Sequence, residues 1–176
     1  MAKLRKFSAY RRLERPYTRK SKYRQKSFVR ATPTNKVIRF DMGDFKKDYD
    51  KEVILKVAQP IQIRHNALES ARQTANRCLE GRAGKNNYWL KLRVYPHHVL
   101  RENPLASGAG ADRMSTGMKK SFGKPIGSAA QIRKGQAIFT AHVDKSNTSL
   151  ASRALKRASY KMPCSGTVIA REHGTR

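Results

Sequence analysis

Two segments of this chain space their apolar residues by threes and fours, and each lies between short β-prone runs. In RHNALESARQTANRCLEG the repeat falls on Leu68, Ala71, Ala75, Cys78 and Leu79, the stripe of an amphipathic helix. Asn66 with Glu69 three residues on predicts its cap, and Gly81 its end. In SNTSLASRALKRASYKMP the stripe is Leu150, Ala151, Ala154, Leu155, Ala158 and Met162, with Ser146 or Asn147 as cap and Pro163 as stop. Strands are predicted at Val53–Ala58, closed by Pro60, and at Tyr88–Val94, where Leu90, Leu92 and Val94 oppose Lys91 and Arg93. Two more, Ile126–Ile132 and Ala137–Val143, flank the turn at 133–136, and a short one covers Thr167–Ala170. The order β-α-β-loop-β-β-α-β implies an α+β two-layer sandwich, with two helices on one side of a mixed or antiparallel sheet.

Between these elements, residues 96–127 break the pattern. The alternation stops at Pro96-His97-His98, passes through small residues and glycines at 106–111, and closes on Lys119, Lys120 and Lys124. A stretch that cannot build a core inside a compact chain is generally functional or disordered. It reads as an arm, protruding over 101–116, held out by the body at 51–176 to lie against a polyanion. Residues 1–50 form a second departure, a basic extension. Only Glu14 is acidic before Asp41, and Phe7, Tyr10, Tyr17, Tyr23 and Phe28 are interleaved with cations. Aromatic rings and guanidinium planes stack on unpaired bases while cations neutralise phosphate. Arg11, Arg12, Tyr17, Arg19, Lys20, Lys22 and Arg24 are therefore candidate RNA contacts. Prolines 16 and 33 favour extended segments, and the composition favours an extension without fixed structure on its own.

The charge is what makes a polyanion necessary. Against 39 Lys and Arg stand 12 Asp and Glu, for a net charge of +27. The extension carries +11 and the body +16, so both are expected to touch the partner. On the first helix, Arg72 and Arg77 lie with Gln73 and Asn76 on the polar face, which reads equally as a solvated face or a phosphate contact. His97 and His98 are expected at a strand end or against RNA, and His142 as a satisfied polar residue in the sheet. Glycines 110, 117, 123 and 127, spaced through basic residues, would let backbone amides approach phosphates, a mode suited to folded RNA recognised by shape.

Catalytic constellations are not visible. SGAGADR is not G-x-G-x-x-G, and Gly117–Pro125 has one residue too many for a Walker A loop, with Pro where Ser or Thr should hold magnesium. Asp112-Arg113 reads as a local salt bridge. Acids are too few for two-metal phosphoryl chemistry. Cys78 and Cys164 have no C-x-x-C partner and read as reduced, buried small hydrophobes. No helix-turn-helix, zinc finger or RNP-type signature appears. MAKLRKFSAYRR lacks the apolar core of a secretory signal, and no apolar run nears the roughly 20 residues that span a bilayer. A soluble, intracellular nucleic-acid-binding protein is expected, without metal or cofactor. A free RNA chaperone is the rival to a fixed ribonucleoprotein constituent, with a nuclease a distant third.

QIRHNALESARQTANRCL, RVYPHHVLREN, GAGADRMSTGMKKSFGKPIG and RALKRASYKMP together resemble the universal large-subunit ribosomal protein sixteen family. ERPYTRKSKYR and IRFDMG resemble its archaeal or eukaryotic "ten-e" form. The resemblance covers almost the whole chain. It implies an α/β-hammerhead-like fold on large-subunit RNA, with the basic extension threaded into that RNA. It also implies a non-catalytic role, because RNA performs peptide-bond formation. The loop matching Arg101 to Met114 would reach toward the peptidyl transferase centre and the acceptor ends of transfer RNA. Carried over, Arg101 and Arg113 flank that loop, Ser107, Gly108 and Gly110 belong to its tip, and Asn103 and Asp112 lie within it. Lys119, Lys120 and Lys124 would face ribosomal RNA. Implied partners are 23S RNA, extending to the 5S vicinity, transfer RNA and neighbouring ribosomal proteins, on a cytoplasmic ribosome. No membrane, small-molecule substrate or cofactor is implied.

Overall fold

The computed structural model describes residues 5–172 except 107, 111, 112 and 114, and leaves aside the side chain of Lys120. The protein is α+β, as the periodicities predict, but its strands divide into two antiparallel sheets rather than one. The chain runs β1 (Asp41–Gly43), β2 (Lys51–Val57), β3 (Ile61–Arg64), α1 (His65–Ala83), β4 (Tyr88–Leu92) and β5 (His98–Glu102). It continues through β6 (Lys124–Ile132), β7 (Ala137–Val143), α2 (Thr148–Ser159) and β8 (Gly166–Glu172). The larger sheet has the order β1-β4-β7-β2-β8, the smaller β3-β6-β5. Helix α2 lies on β2, β7 and β8 and packs against α1, which also touches β3, β4 and β6.

One apolar core joins both sheets and both helices. Val53 and Leu55 of β2, Ile63 of β3, Leu90 of β4, Phe139 and Val143 of β7 are fully buried in it. The expected helix stripes face this core: Leu68, Ala71, Ala75 and Leu79 of α1, with Ala151, Ala154, Leu155 and Ala158 of α2, are at 0% exposure. Small residues recur on both stripes, which lets the two helix backbones approach closely.

Several boundaries differ from the sequence expectation. Asn66 does not cap α1: Arg64 occupies that position with no side-chain cap, and Glu69 bonds Arg72 instead. The helix passes Gly81 and ends at Ala83, with Gly84 at φ 82° in the left-handed region that favours glycine. At α2, Asn147 holds the N-cap position without a side-chain bond. The expected arm is shorter than 96–127, because His98–Glu102 and Lys124–Ile132 pair as β5 and β6 and leave 103–123 as their connection. β4 ends at Leu92, short of the expected Val94, and β5 opens at His98, so Pro96 and His97 lie between two strands. Val99 and Leu100 are buried because another part of the chain covers them.

That covering part is the basic extension. Tyr17 N–H donates to His98 Nδ1 at 2.8 Å, and Val99 N–H donates to Tyr17 O at 3.2 Å. Gln62 and Gln131 donate to the carbonyls of Tyr10 and Glu14 at 3.0 and 2.8 Å. Lys36 N–H donates to His65 Nδ1 at 3.1 Å, while Val29 and Val37 are each 3% exposed. The extension thus lies along the smaller sheet, and its last residues enter the larger one as β1.

Candidate nucleic-acid interface

The β5–β6 hairpin builds the neck of the loop. Its register shifts between Leu100 and Arg101, an irregularity of the kind that re-aims a side chain. Arg101 stacks between two rings, its guanidinium 3.7 Å from the Phe122 centroid and 4.9 Å from that of Tyr17. The rings meet edge-on at 5.4 Å. Arg101 also donates to Phe122 O at 3.3 Å and lies 3.8 Å from Glu14. Gly123, at φ 86°, passes so close to β5 that a Cβ there would sit 2.9 Å from the Glu102 carbonyl carbon. Asn103 spans the loop by donating to Gly117 O at 3.3 Å. Beside the neck a cleft of about 620 Å³ opens between extension and hairpin, with Arg5, Arg12, Glu14 and Glu102 on its walls. Arg5 pairs with Glu102, which also accepts from Tyr10 OH at 3.0 Å.

Past the neck most of the described residues are exposed. Gly108 and Gly110 have φ of 114° and 80°, with open space where a Cβ would stand. Arg113, Lys119 and Lys124 are exposed and make no ion pair among the described residues. Ser107, Ala111, Asp112 and Met114 lie outside the described residues, as do the expected Asp112–Arg113 pair and the Lys120 side chain.

On the extension Arg11, Arg12, Arg19, Lys20, Lys22 and Arg24 are all exposed. Arg19 stacks on Phe28 at 4.7 Å, and Lys22 lies over Tyr23 at 5.2 Å. Tyr17 is half-buried, with Arg101 over its ring and Phe122 against it edge-on. The two histidines part company. His97 is exposed and its Nδ1 lies 3.1 Å from Tyr95 O, whereas His98 is 4% exposed and holds the extension. Burial lowers the His98 pKa, with His97 and Arg101 acting in the same sense and Glu14 against them. His142 stacks on Trp89 at 4.4 Å.

Arg72 and Arg77, neighbours in the helix pattern, also separate. Arg72 turns inward, its side chain 12% exposed and bonded through Nε to Glu69 at 2.8 Å. That bond raises the Arg72 pKa and lowers that of Glu69. Glu69 thus takes one edge of the Arg72 guanidinium, and Nη1 donates to Met42 Sδ at 3.1 Å. Arg77 stays exposed, in a groove between α1 and α2. Cys78 is buried as expected, while Cys164 is only half-buried.

Sequence reasoning passed over Phe122 and Glu102 and saw Tyr10 only as one of the interleaved aromatics, because the partners with which they complete the neck lie far away along the chain. It also passed over Arg82, Arg157 and Lys161 around Arg77, of which Arg157 and Lys161 carried the local signal of an i, i+4 pair. Among the described residues no cluster of His, Cys, Asp or Glu could hold a metal, and no helix is long and apolar enough to cross a membrane.

Over residues 14–169 the chain matches the model of a family described as ribosomal protein L16p/L10e. It is similar to the large ribosomal subunit protein uL16 of Archaeoglobus fulgidus, 44% identical over 160 residues, covering 91% of this chain and 88% of that one. Against uL16 of Methanococcus aeolicus it is 45% identical over 166 residues, 94% and 93% of the two chains. Against uL16 of Staphylothermus marinus it is 44% identical over 154 residues, 88% and 85%.

Proposed function

The chain belongs to the ribosomal protein L16p/L10e family, and from that premise we propose that its loop at 101–116 stands beside the peptidyl transferase centre and supports the acceptor ends of transfer RNA. The coarser role needs no proposal: it is a structural component of the large ribosomal subunit, in company with ribosomal RNA and proteins, and not an enzyme. Its place is the ribosome, cytoplasmic in archaea.

The observation that carries the finer reading is the neck. Arg101, locked between Tyr17 and Phe122, fixes where the loop leaves the body. Beyond it, glycine backbone and unpaired cations are free to meet RNA. A fixed neck with glycines and exposed cations beyond it suits positioning, in which RNA does the chemistry and the protein limits where an acceptor end can lie. The exposed cations of 1–50 serve as the embedded extension, contacting 23S RNA through phosphate charge and Arg planes. The body at 51–176 carries the loop, and contact in the 5S vicinity would come from the same charge. Loop residues Arg101, Asn103, Ser107, Gly108, Gly110, Asp112 and Arg113 are assigned here to the transfer-RNA side. Lys119, Lys120, Lys124 and His97 are assigned to ribosomal RNA.

Footprinting of gradient-sedimented subunits, with the protein tagged at its C-terminus, tests this. One copy per large subunit, protecting one locus, is expected. Deleting 103–111 should leave the body folded and subunit-bound but impair translation. Protection scattered over many RNAs in light fractions would replace this reading with a general RNA chaperone, and an unfolded body on deletion would remove the arm.

A further inference from the structure

We infer that the groove between α1 and α2 is a second RNA-docking surface, which seats the phosphate backbone of an RNA duplex. It shares no lining residue with the loop neck or its cleft. It measures about 410 Å³ and is lined by Arg77, Arg82, Arg157 and Lys161, with Ser70 and Thr74 among its polar neighbours. Two helices distant in sequence, with the turn that follows α2, converge four cations here, and among the described residues no carboxylate lines the groove. None of the four makes an ion pair among the described residues. The acids of α1 are engaged elsewhere, Glu69 with Arg72 and Gln73, and Glu80 with Asn76. Four like charges gathered without an internal counter-charge repel one another, a cost that a bound polyanion removes.

Gly81 gives an independent indication. It lies inside α1, where glycine is less favourable than alanine by about 0.8–1.0 kcal/mol. Neither a positive φ nor crowding requires it, since nothing lies within 4 Å of where its Cβ would be. Its bare backbone forms part of the groove wall. A residue that the fold does not need, at a place where side-chain bulk would fill the groove, is accounted for by close approach of a partner.

The groove chemistry selects the kind of partner. Among the described residues no aromatic ring lines it, so unstacked bases have no platform there, and no acceptor-rich lining reads base edges. Guanidinium forks and an ammonium beside hydroxyls suit phosphate oxygens and 2′-hydroxyls, which A-form RNA presents by shape. This inference rests on the RNA-binding reading above, and it adds that the helix layer, as well as the loop and extension, is covered by RNA.

The test uses the full chain and a labelled RNA duplex of about 16 base pairs, the span that shape-reading duplex binders cover. One variant carries Arg77→Gln, Arg82→Gln, Arg157→Gln and Lys161→Gln. A control of equal charge loss carries Arg93→Gln, Arg133→Gln, Lys134→Gln and Lys145→Gln, all exposed, in the body and outside both sites. The groove variant should bind at least about tenfold more weakly, with a salt slope shallower by about 3–4, roughly one for each phosphate no longer neutralised. The control should lose under about threefold. Gly81→Leu should weaken duplex binding while circular dichroism shows the fold kept, and Gly81→Ala should do so less. Equal losses in groove and control variants would overturn the inference, as would full binding by Gly81→Leu. Loss of polyglutamate binding with duplex binding intact would assign the groove to an acidic protein segment instead. If the unaltered chain binds no duplex at all, the broader RNA reading fails; if it binds but groove changes do nothing, only this inference does.

Discussion

Replacing His98 with leucine tests the seam by which the extension is held on the smaller sheet. At 4% exposure, His98 Nδ1 accepts the Tyr17 N–H at 2.8 Å. Leucine keeps much of the volume and deletes the acceptor, so the Tyr17 N–H is left without its partner. An unsatisfied buried donor costs about 1–3 kcal/mol, which corresponds to a rise of about 5- to 150-fold in local opening. Native-state hydrogen exchange at the Tyr17 amide reads that opening directly. The neighbouring Val99 amide, which donates to Tyr17 O, should lose protection with it. His98→Gln, whose side-chain oxygen can accept, should recover part of the loss. Unchanged exchange at Tyr17 in His98→Leu would refute the seam.

Acid should reproduce the same lesion, and the sign follows from which state binds the proton. Burial lowers the His98 pKa in the fold, and burial followed by Lys36 and Arg64 lowers that of His65. Both Nδ1 atoms accept a backbone N–H from the extension, so both imidazoles are held neutral there. A released chain takes up its proton near the ordinary imidazole value of about 6.5. The released state therefore binds more protons below that value, and attachment weakens as pH falls through it toward the lowered folded pKa. Above it the contribution is complete and flat. Amide protection at Tyr17 and Lys36 should fall between about pH 7 and pH 5, with the Tyr17 component missing in His98→Leu. Flat protection across that range in the unaltered protein would contradict the argument.

Gly43→Ala should destabilise the protein, because φ is 87° and the new Cβ would sit 2.0 Å from Tyr88 O. The φ alone costs about 1–3 kcal/mol, and an unshifted melting temperature would show that β1 can move aside. Phe139→Ala, at 0% exposure in the core, should lose about 3–5 kcal/mol in denaturant unfolding, and a loss under about 1 kcal/mol would mean that the site collapses. Arg101→Ala removes both ring contacts, worth about 0.5–2 kcal/mol at the neck, and should lower translation more than Lys145→Ala does. Arg113→Ala should also exceed Lys145→Ala, through weaker RNA binding rather than stability. Equal, negligible effects of all three in a translation assay would sink the assignment of the loop.

Both helices and five of the eight strands were legible because each carries its own period. Leu68 to Leu79 and Ala151 to Ala158 mark a face without help from the rest of the chain. What stayed hidden depends on partners remote in sequence. Ile61–Arg64 is four residues wedged between Pro60 and a helix, and it becomes a strand only by pairing with Ala129–Ile132. His98–Glu102 reads as loop after Pro96, and becomes β5 because β6 pairs with one edge and the extension covers it. The division into two sheets follows from these pairings, so it too was invisible. At the site the type of residue was plain but not its direction. Helix spacing put Arg72 on the solvent face, yet Glu69 one turn earlier draws it in.

The charge arithmetic survives those errors of direction. The structure shows seven ion pairs among the described residues, engaging Glu14, Asp41, Glu52, Glu69, Glu102, Asp144 and Glu172. Most are exposed and worth little individually. Two of them, Arg5–Glu102 and Arg101–Glu14, join the extension to the loop neck, where they set geometry rather than neutralise the chain. Even with all 12 acids paired one to one, a net charge of +27 would remain without an internal partner. Folding cannot remove that excess, and at close range it opposes folding. A polyanionic surface would remove it where exposed cations gather, and the extension, the loop and the α1–α2 groove are three such places.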